Sequence, residues 1–265
     1  MNPAVLVLEN DGGTRKLLHA LLSRLALEVD VVGAASDAIL LLDQVEYDFV
    51  FADPDVVEWL DSNRPEMLER TVVLSATSPA QHDRMRARWR GVRTIRKPFE
   101  LSEIVELAQA VMTEPARRSG SAHEEFIRRS VATGAKSGIV VSLGASGLSP
   151  VTWFGYDRAT IESYFPLPLD APMPLSIAIR HERPVWVASM QAAANDYPQY
   201  VDVWRQFATR ALAAVPVIHN GAIIGGAGWA YRDAQLFEER QQETLTKIAA
   251  SLSGMLLQSS VRSTA

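Results

Sequence analysis

The polar and apolar positions of the first hundred residues fall into short blocks, each running into residues that carry chemistry. Val5-Leu6-Val7-Leu8 leads into Glu9-Asn10-Asp11, Phe49-Val50-Phe51-Ala52 into Asp53-Pro54, Val72-Val73-Leu74 into Ser75, and Val92-Arg93-Thr94-Ile95-Arg96 into Lys97-Pro98-Phe99. Apolar runs this short, without alternation, read as strands buried on both faces of a parallel sheet. Open sheets of that kind keep their chemistry at the carboxyl ends of the strands. Three acids, a hydroxyl and a lysine are therefore expected to converge around Asp53. Between the strands the period changes to that of a helix. Leu17, Leu18, Leu21, Leu22 and Leu25 form a stripe after Thr14, and Ser36 and Asp37 offer N-cap oxygens to a leucine-rich helix that follows a strand over 29–35. Val56 to Leu60 is helical almost directly after Asp53, and Leu101, Ile104, Val105, Ala108 and Val111 form a last helix. Strand and helix in alternation predict an α/β unit with a parallel sheet.

The pattern breaks at Thr113-Glu114-Pro115-Ala116-Arg117-Arg118-Ser119-Gly120-Ser121. Pro, Gly and Ser without periodicity mark a linker, which divides the chain into a first domain over 1–113, a linker over 114–121 and a second domain over 122–260. The second domain opens with a helix from about His123 to Thr133. It continues with strand-rich runs at 138–143 and 151–156, separated by the loop 144–150, and a third at 184–188. The runs 211–218 and 222–231 are joined through His219-Asn220-Gly221, and Asn-Gly is the strongest short hairpin signal. The sheet should be antiparallel. A final helix over 235–257 is expected to bury Leu245, Ile248, Ala249, Leu252 and Leu256.

Composition narrows the chemistry. The 265 residues are 48% hydrophobic, enough for two cores, and contain no cysteine. Thiol redox catalysis, thiolate metal sites and thioether cofactor attachment are thereby excluded, and a cytoplasmic location is expected. No targeting or membrane-spanning segment is expected, because no apolar run approaches 18 residues. The net charge of −5 is uneven, −6 through Thr113 and +1 afterwards. The segment 83–97 nonetheless holds Arg84, Arg86, Arg88, Arg90, Arg93, Arg96 and Lys97. It reads as a solvated face paired with nearby acids or as an interaction face. No aromatic or recognition-helix pattern accompanies it, so nucleic acid is not an expected partner.

The strand-end residues of the first 113 positions resemble the receiver domain of two-component response regulators, the chemotaxis-regulator-like fold of five parallel strands wrapped by helices. The resemblance implies that Asp53 is the phosphoacceptor and Glu9 the first of an acidic pair. It likewise implies that Ser75 is the hydroxyl and Lys97-Pro98-Phe99 the lysine motif, whose proline is usually cis. An aspartate oxygen would attack a phosphoryl group while Mg2+ and the lysine ammonium offset charge on the phosphoryl oxygens. Asn10 stands where the second acid is normal, so the metal set Glu9, Asp11 and Asp53 is one in which Asp11 would have to replace it. Thr94 stands at the switch aromatic.

The second domain resembles a GAF domain, an α+β fold around an antiparallel sheet. The resemblance rests on Pro166-Leu167-Pro168-Leu169-Asp170, on Ser176 to Arg180 leading to Arg183-Pro184-Val185-Trp186-Val187, and above all on Ala213-Ala214-Val215-Pro216-Val217-Ile218 followed by Ala222-Ile223-Ile224-Gly225-Gly226. GAF domains bind cyclic nucleotides, tetrapyrroles or other small ligands, or bind nothing and serve as dimerisation modules. Gln241 and Gln242 stand where a cyclic-GMP signature needs acids, and the ligand is left open. Tyr156, Trp186, Tyr200 and Trp204 are candidates for an aromatic pocket, with core packing as the alternative. His181 and His219 lack metal-ligand spacing. The implied function is a response regulator, not an enzyme, with Asp53 as the residue phosphorylated, a sensor histidine kinase or other signalling protein as partner, and the GAF half dimerising or sensing a ligand. The alternative is a phosphorylation-independent pseudo-receiver acting as ligand sensor or docking scaffold. Helices at the ends of the GAF half are expected to hold a homodimer.

Overall fold

The computed structural model describes residues 2–76, 78, 84–85, 87–89, 92–112 and 121–262. The chain forms two compact units, Met1–Gly120 and Ser121–Ala265.

In the first unit, β1 (Ala4–Leu8), β2 (Glu28–Val32), β3 (Phe49–Ala52), β4 (Thr71–Ser75) and β5 (Arg93–Arg96) make a wholly parallel sheet in the order β2-β1-β3-β4-β5. Every residue of β1, β3 and β4 is buried, whereas the edge strands β2 and β5 are partly open. That is why the three inner strands read as unbroken apolar runs: a central strand covered on both faces has no solvent side to favour polar residues. Four described helices surround the sheet, α1 (Gly12–Ser23), α2 (Ala35–Gln44), α3 (Pro54–Asn63) and α4 (Leu101–Met112). Val5, Val7, Phe51, Val72 and Leu74 pack with Leu18 and Leu22 of α1 and with Ile104 and Ala108 of α4.

Helix starts differ from the sequence reading. Helix α1 begins at Gly12, two residues before Thr14, because Asp11 accepts the Thr14 N–H at 2.7 Å and caps it. Its buried leucines are Leu18 and Leu22, while Leu17 is 49% exposed. Helix α2 begins at Ala35 behind Ala34, with no side-chain cap. Ser36 and Asp37 therefore lie inside its first turn and not at the cap, where Asp37 still favours the positive end of the helix dipole. Of the arginine-rich segment, Arg86 and Arg90 lie outside the described residues, as does all of the expected linker over 114–121 except Ser121. Arg88 pairs with Glu58 at 2.7 Å and covers the Trp89 ring at 5.1 Å.

The second unit holds β6 (Ser137–Gly144), β7 (Gly147–Phe154), β8 (Val185–Val187), β9 (Ala211–His219) and β10 (Ala222–Tyr231), antiparallel in the order β7-β6-β10-β9-β8. Asn220 and Gly221 turn the β9–β10 hairpin with φ of 50° and 79°, which only such residues take at little cost. The expected loop over 144–150 is instead a two-residue turn, Ala145-Ser146. Gly144 pairs with Gly147, and Pro150 sits inside edge strand β7 beside a register shift at Val140 and Val141, a place where a missing N–H is tolerated.

Helices α5 (Ala122–Val131), α10 (Glu239–Ser251) and α11 (Ser253–Arg262) cover one face of this sheet. The other face meets α6 (Arg158–Tyr164), α7 (Pro174–Arg180), α8 (Met190–Asp196) and α9 (Val201–Gln206). The expected final helix is thus two helices with a break at Leu252. It starts four residues late because Phe237 takes a left-handed backbone, φ 48°. Leu245, Ile248, Ala249, Leu252 and Leu256 are all buried as their spacing predicts.

Candidate functional site

In the first unit the strand order reverses between β1 and β3. The chain leaves β1 toward β2 and leaves β3 toward β4, so the connections diverge and open a crevice at the carboxyl ends. A cleft of about 800 Å³ lies there, lined by Glu9, Asn10, Asp11, Asp53, Ser75 and Lys97 among others. The six residues singled out at the strand ends do share one site.

Asp53 is the N-cap of α3. Pro54 occupies the first helical position, so β3 passes into α3 without a loop. Its Oδ1 accepts the Val56 N–H at 3.1 Å, and the Asp55 N–H also bonds to the carboxylate. Half-burial raises the Asp53 carboxyl above its ordinary value, and Asp55 adds to this. The Val56 N–H, the Asp55 N–H and the Lys97 ammonium pull the other way.

Glu9 is 2% exposed. Its Oε1 accepts the Asp11 N–H at 3.0 Å, and its Oε2 lies 2.6 Å from Lys97 Nζ in an ion contact that lacks hydrogen-bond geometry. Lys97 is thus drawn to Glu9. The Lys97 N–H bonds to the Ser75 carbonyl at 2.7 Å, which fixes the lysine motif on β4, and the Lys97-Pro98 peptide is cis. Ser75 is buried, with Oγ 4.0 Å from Met85 Sδ.

The three-acid metal set is not assembled. Among the described residues no group of three acidic or histidine side chains is placed to hold an ion, because Asp11 spends its carboxylate on capping α1. Backbone N–H bonds hold its carboxyl below the usual value. What remains is Glu9 and Asp53 with the neutral amide of Asn10. Magnesium takes one or two carboxylates and keeps several waters, so the donors fit it as a two-carboxylate site that must compete with Lys97 for Glu9.

Arg15 was not signalled by any spacing. From α1 its Nη1 donates to the Glu9 and Asn10 carbonyls at 2.7 and 3.3 Å, tying the β1–α1 turn beneath the cleft.

In the second unit, an apolar cavity of about 140 Å³ lies between the sheet and helices α6, α7 and α9. Tyr156 and Trp204 line it. Trp186 and Tyr200 do not: Trp186 packs on Phe237 at 5.4 Å and Tyr200 stacks on Trp204 at 6.1 Å. The remaining walls come from residues such as Ile161, Tyr164, Phe207 and Thr209, which stand far apart in sequence.

Residues 131–256 match the family model of the GAF domain. The second half is a GAF domain. No curated protein matches the chain. Among solved structures, a Francisella response regulator 1452 receiver domain is 18% identical, with 42% of this chain and 98% of that one covered at a TM-score of 0.38. The HemR receiver domain of Leptospira biflexa is 22% identical over 44% and 99%, TM-score 0.38. The GAF domain of an Acinetobacter phosphoenolpyruvate-protein phosphotransferase is 16% identical over 62% and 95%, TM-score 0.43. The N-terminal unit is thus similar in fold to receiver domains. No helix among the described residues is long and apolar enough to cross a membrane.

Proposed function

We propose that this protein is a response regulator in which Asp53 accepts a phosphoryl group, from a sensor histidine kinase or a small acyl phosphate, and the GAF domain holds a small ligand and pairs two copies of the chain. Its output is contact with other proteins and not catalysis. The placement of Asp53 carries the reading: a half-buried carboxylate at the sheet's switch point, lining the cleft with Glu9, Ser75 and Lys97 and held by the Val56 N–H. An Asp53 oxygen attacks phosphorus, the donor's bond to phosphorus breaks, and an acyl phosphate results. Lys97 would turn from Glu9 to the new anion and Ser75 would donate to one of its oxygens. Magnesium, held by Glu9 and Asp53, would offset phosphoryl charge. Intact-protein mass spectrometry with acetyl phosphate and magnesium tests this, with one added phosphoryl group expected; no mass gain would exclude phosphorylation by that donor.

One observation favours a second reading, a phosphorylation-independent docking or sensing module: Lys97 already neutralises Glu9 at 2.6 Å, and Asn10 leaves the site a carboxylate short. Asn10→Asp separates the two. An added anionic oxygen should raise magnesium affinity about tenfold, ~1.4 kcal/mol, by titration calorimetry. Unchanged affinity would show that the ion does not bind beside residue 10.

The dimer is expected to use α5, α10 and α11. Phe126, Ile127, Val131, Leu245, Ile248 and Leu252 are buried within the unit itself, leaving Leu257, 39% exposed, on the outer side. Light scattering on the full chain should give twice the chain mass at tens of micromolar, and a monomeric mass would refute the pairing.

A further inference from the structure

The GAF cavity differs from the strand-end cleft in every physical respect, and its lining narrows what it can hold. No Asp, Glu, Lys, Arg or His side chain contributes to its wall. A charged ligand would give up hydration there without meeting a counter-charge, a cost far above what apolar contact returns. At about 140 Å³ the space also falls short of the roughly 300 Å³ at which pockets for larger ligands begin. It resembles instead the apolar cavities of about 150 Å³ that stay dry and accept a benzene ring.

The polar atoms at the wall are few, and most are already occupied. Tyr156 is bonded to Ser137, Thr160 Oγ1 bonds to Asp157 Oδ2 at 2.9 Å, and Trp229 turns its indole N–H to Ser130 at 2.8 Å. Trp204 and Thr209 are different. They are 6% and 5% exposed, and among the described residues neither the indole N–H nor the hydroxyl has a protein partner. Neither atom is sealed in the protein matrix, so each opens onto space. A ligand that fills this space and supplies the partner exchanges a bond to water for one in a drier site, worth about 0.5–1.5 kcal/mol net. Thr209 also borders a smaller recess beside Ser137 and Arg232. Phe207, 40% exposed and edge-on to Tyr156 at 6.2 Å, stands at the rim.

We infer that this cavity takes a neutral ligand the size of one ring, apolar over most of its surface and bearing a single hydrogen-bonding group that meets Trp204 and Thr209. This deepens the ligand-holding reading above and rests on it. It sets aside cyclic nucleotides and tetrapyrroles, whose phosphate or carboxylate groups and size the wall does not accommodate.

Calorimetric titration of the full chain with phenol, toluene, benzoate and cyclic GMP tests the assignment. Phenol is expected to bind saturably, toluene more weakly, and benzoate and cyclic GMP not at all. Thr209→Val, nearly isosteric, should lower phenol affinity about fivefold and leave toluene unchanged. Gly228→Val should weaken both at least about tenfold by filling the cavity floor. A Cβ at Gly228 comes no closer than 3.5 Å to a neighbour, the Ile139 Cγ2 atom, so Gly228→Ala is the milder alternative should the valine variant not fold. Binding of benzoate or cyclic GMP as tight as phenol would overturn the neutral, ring-sized class while leaving ligand sensing intact. Binding by none of the four would overturn the inference, and if native mass spectrometry of the full chain also shows no retained small molecule, the ligand-holding reading falls with it. Phenol affinity unchanged in both Thr209→Val and Trp204→Phe would overturn the polar end of the site.

Discussion

Asp53→Ala is expected to abolish acyl phosphate formation completely, and Asp53→Asn to abolish it while making the protein more stable. The first outcome follows from geometry: of the acids at the cleft, Glu9 is committed to the Asp11 N–H and Lys97, and Asp11 to the α1 cap, so no second carboxylate is free to replace the nucleophile. The second follows from the sign of the pKa shift. Burial holds the folded carboxyl above its ordinary 3.8, so between that value and the raised one the folded state binds more protons than the unfolded chain. Stability of the native sequence therefore declines as pH climbs through that interval. Asparagine has no proton to lose and still offers an oxygen to the Val56 N–H. Its advantage should open above pH 3.8 and level off once Asp53 is fully ionised. Alanine loses the cap as well, costing about 1 kcal/mol. Intact mass after acetyl phosphate treatment and melting curves between pH 3 and 8 read both effects. Acyl phosphate persisting in Asp53→Ala would relocate the nucleophile. An asparagine variant no more stable than the parent at pH 7 would show that Val56 and Lys97 already offset the burial.

The first unit was legible because its inner strands are covered on both faces. Residues of β1, β3 and β4 then have no reason to alternate, and their ends locate the site directly. The cap assignments were not legible, since Ser36-Asp37 and Asp11 offer the same oxygens and only the start of each helix decides which one is used. The break at Leu252 was hidden by its own stripe: Leu245, Ile248, Ala249, Leu252 and Leu256 keep helical spacing across it, and the Ser253-Gly254 pair was the only signal. The apolar cavity of the GAF domain was half legible. Trp204 and Tyr156 reach it, but Trp186 and Tyr200 satisfy their rings against Phe237 and Trp204, and composition cannot distinguish a stacked aromatic from one facing a void. Gly225 and Gly226, by contrast, carry a message that packing explains. A Cβ at Gly225 would lie 2.1 Å from the Val141 carbonyl oxygen, and one at Gly226 would lie 2.9 Å from Ile179 of α7. The two glycines let β6 and α7 approach β10 from adjoining directions.

Trp229→Ala should cost more stability than any other single truncation in the GAF domain, about 3–5 kcal/mol for the lost packing alone. The side chain is 1% exposed, its ring lies 6.2 Å from Phe126, and its Nε1 donates to Ser130 Oγ at 2.8 Å. It therefore ties β10 to α5, elements 99 residues apart along the chain by that bond. Alanine leaves both a cavity under α5 and a hydroxyl on Ser130, itself 0% exposed, without its donor. A loss of this size consumes much of the roughly 5–15 kcal/mol that holds a whole domain folded. Denaturant unfolding followed by Trp fluorescence and circular dichroism should show the GAF transition moving far to lower denaturant while that of the first unit stays in place. Trp229→Phe keeps a ring against Phe126 and isolates the hydrogen bond at about 1–2 kcal/mol beyond the change in area. Adding Ser130→Ala to it should restore part of that loss, because the stranded hydroxyl is then gone. A Trp229→Ala cost below about 1 kcal/mol, or no recovery in the double variant, would mean that α5 is not anchored through this pair.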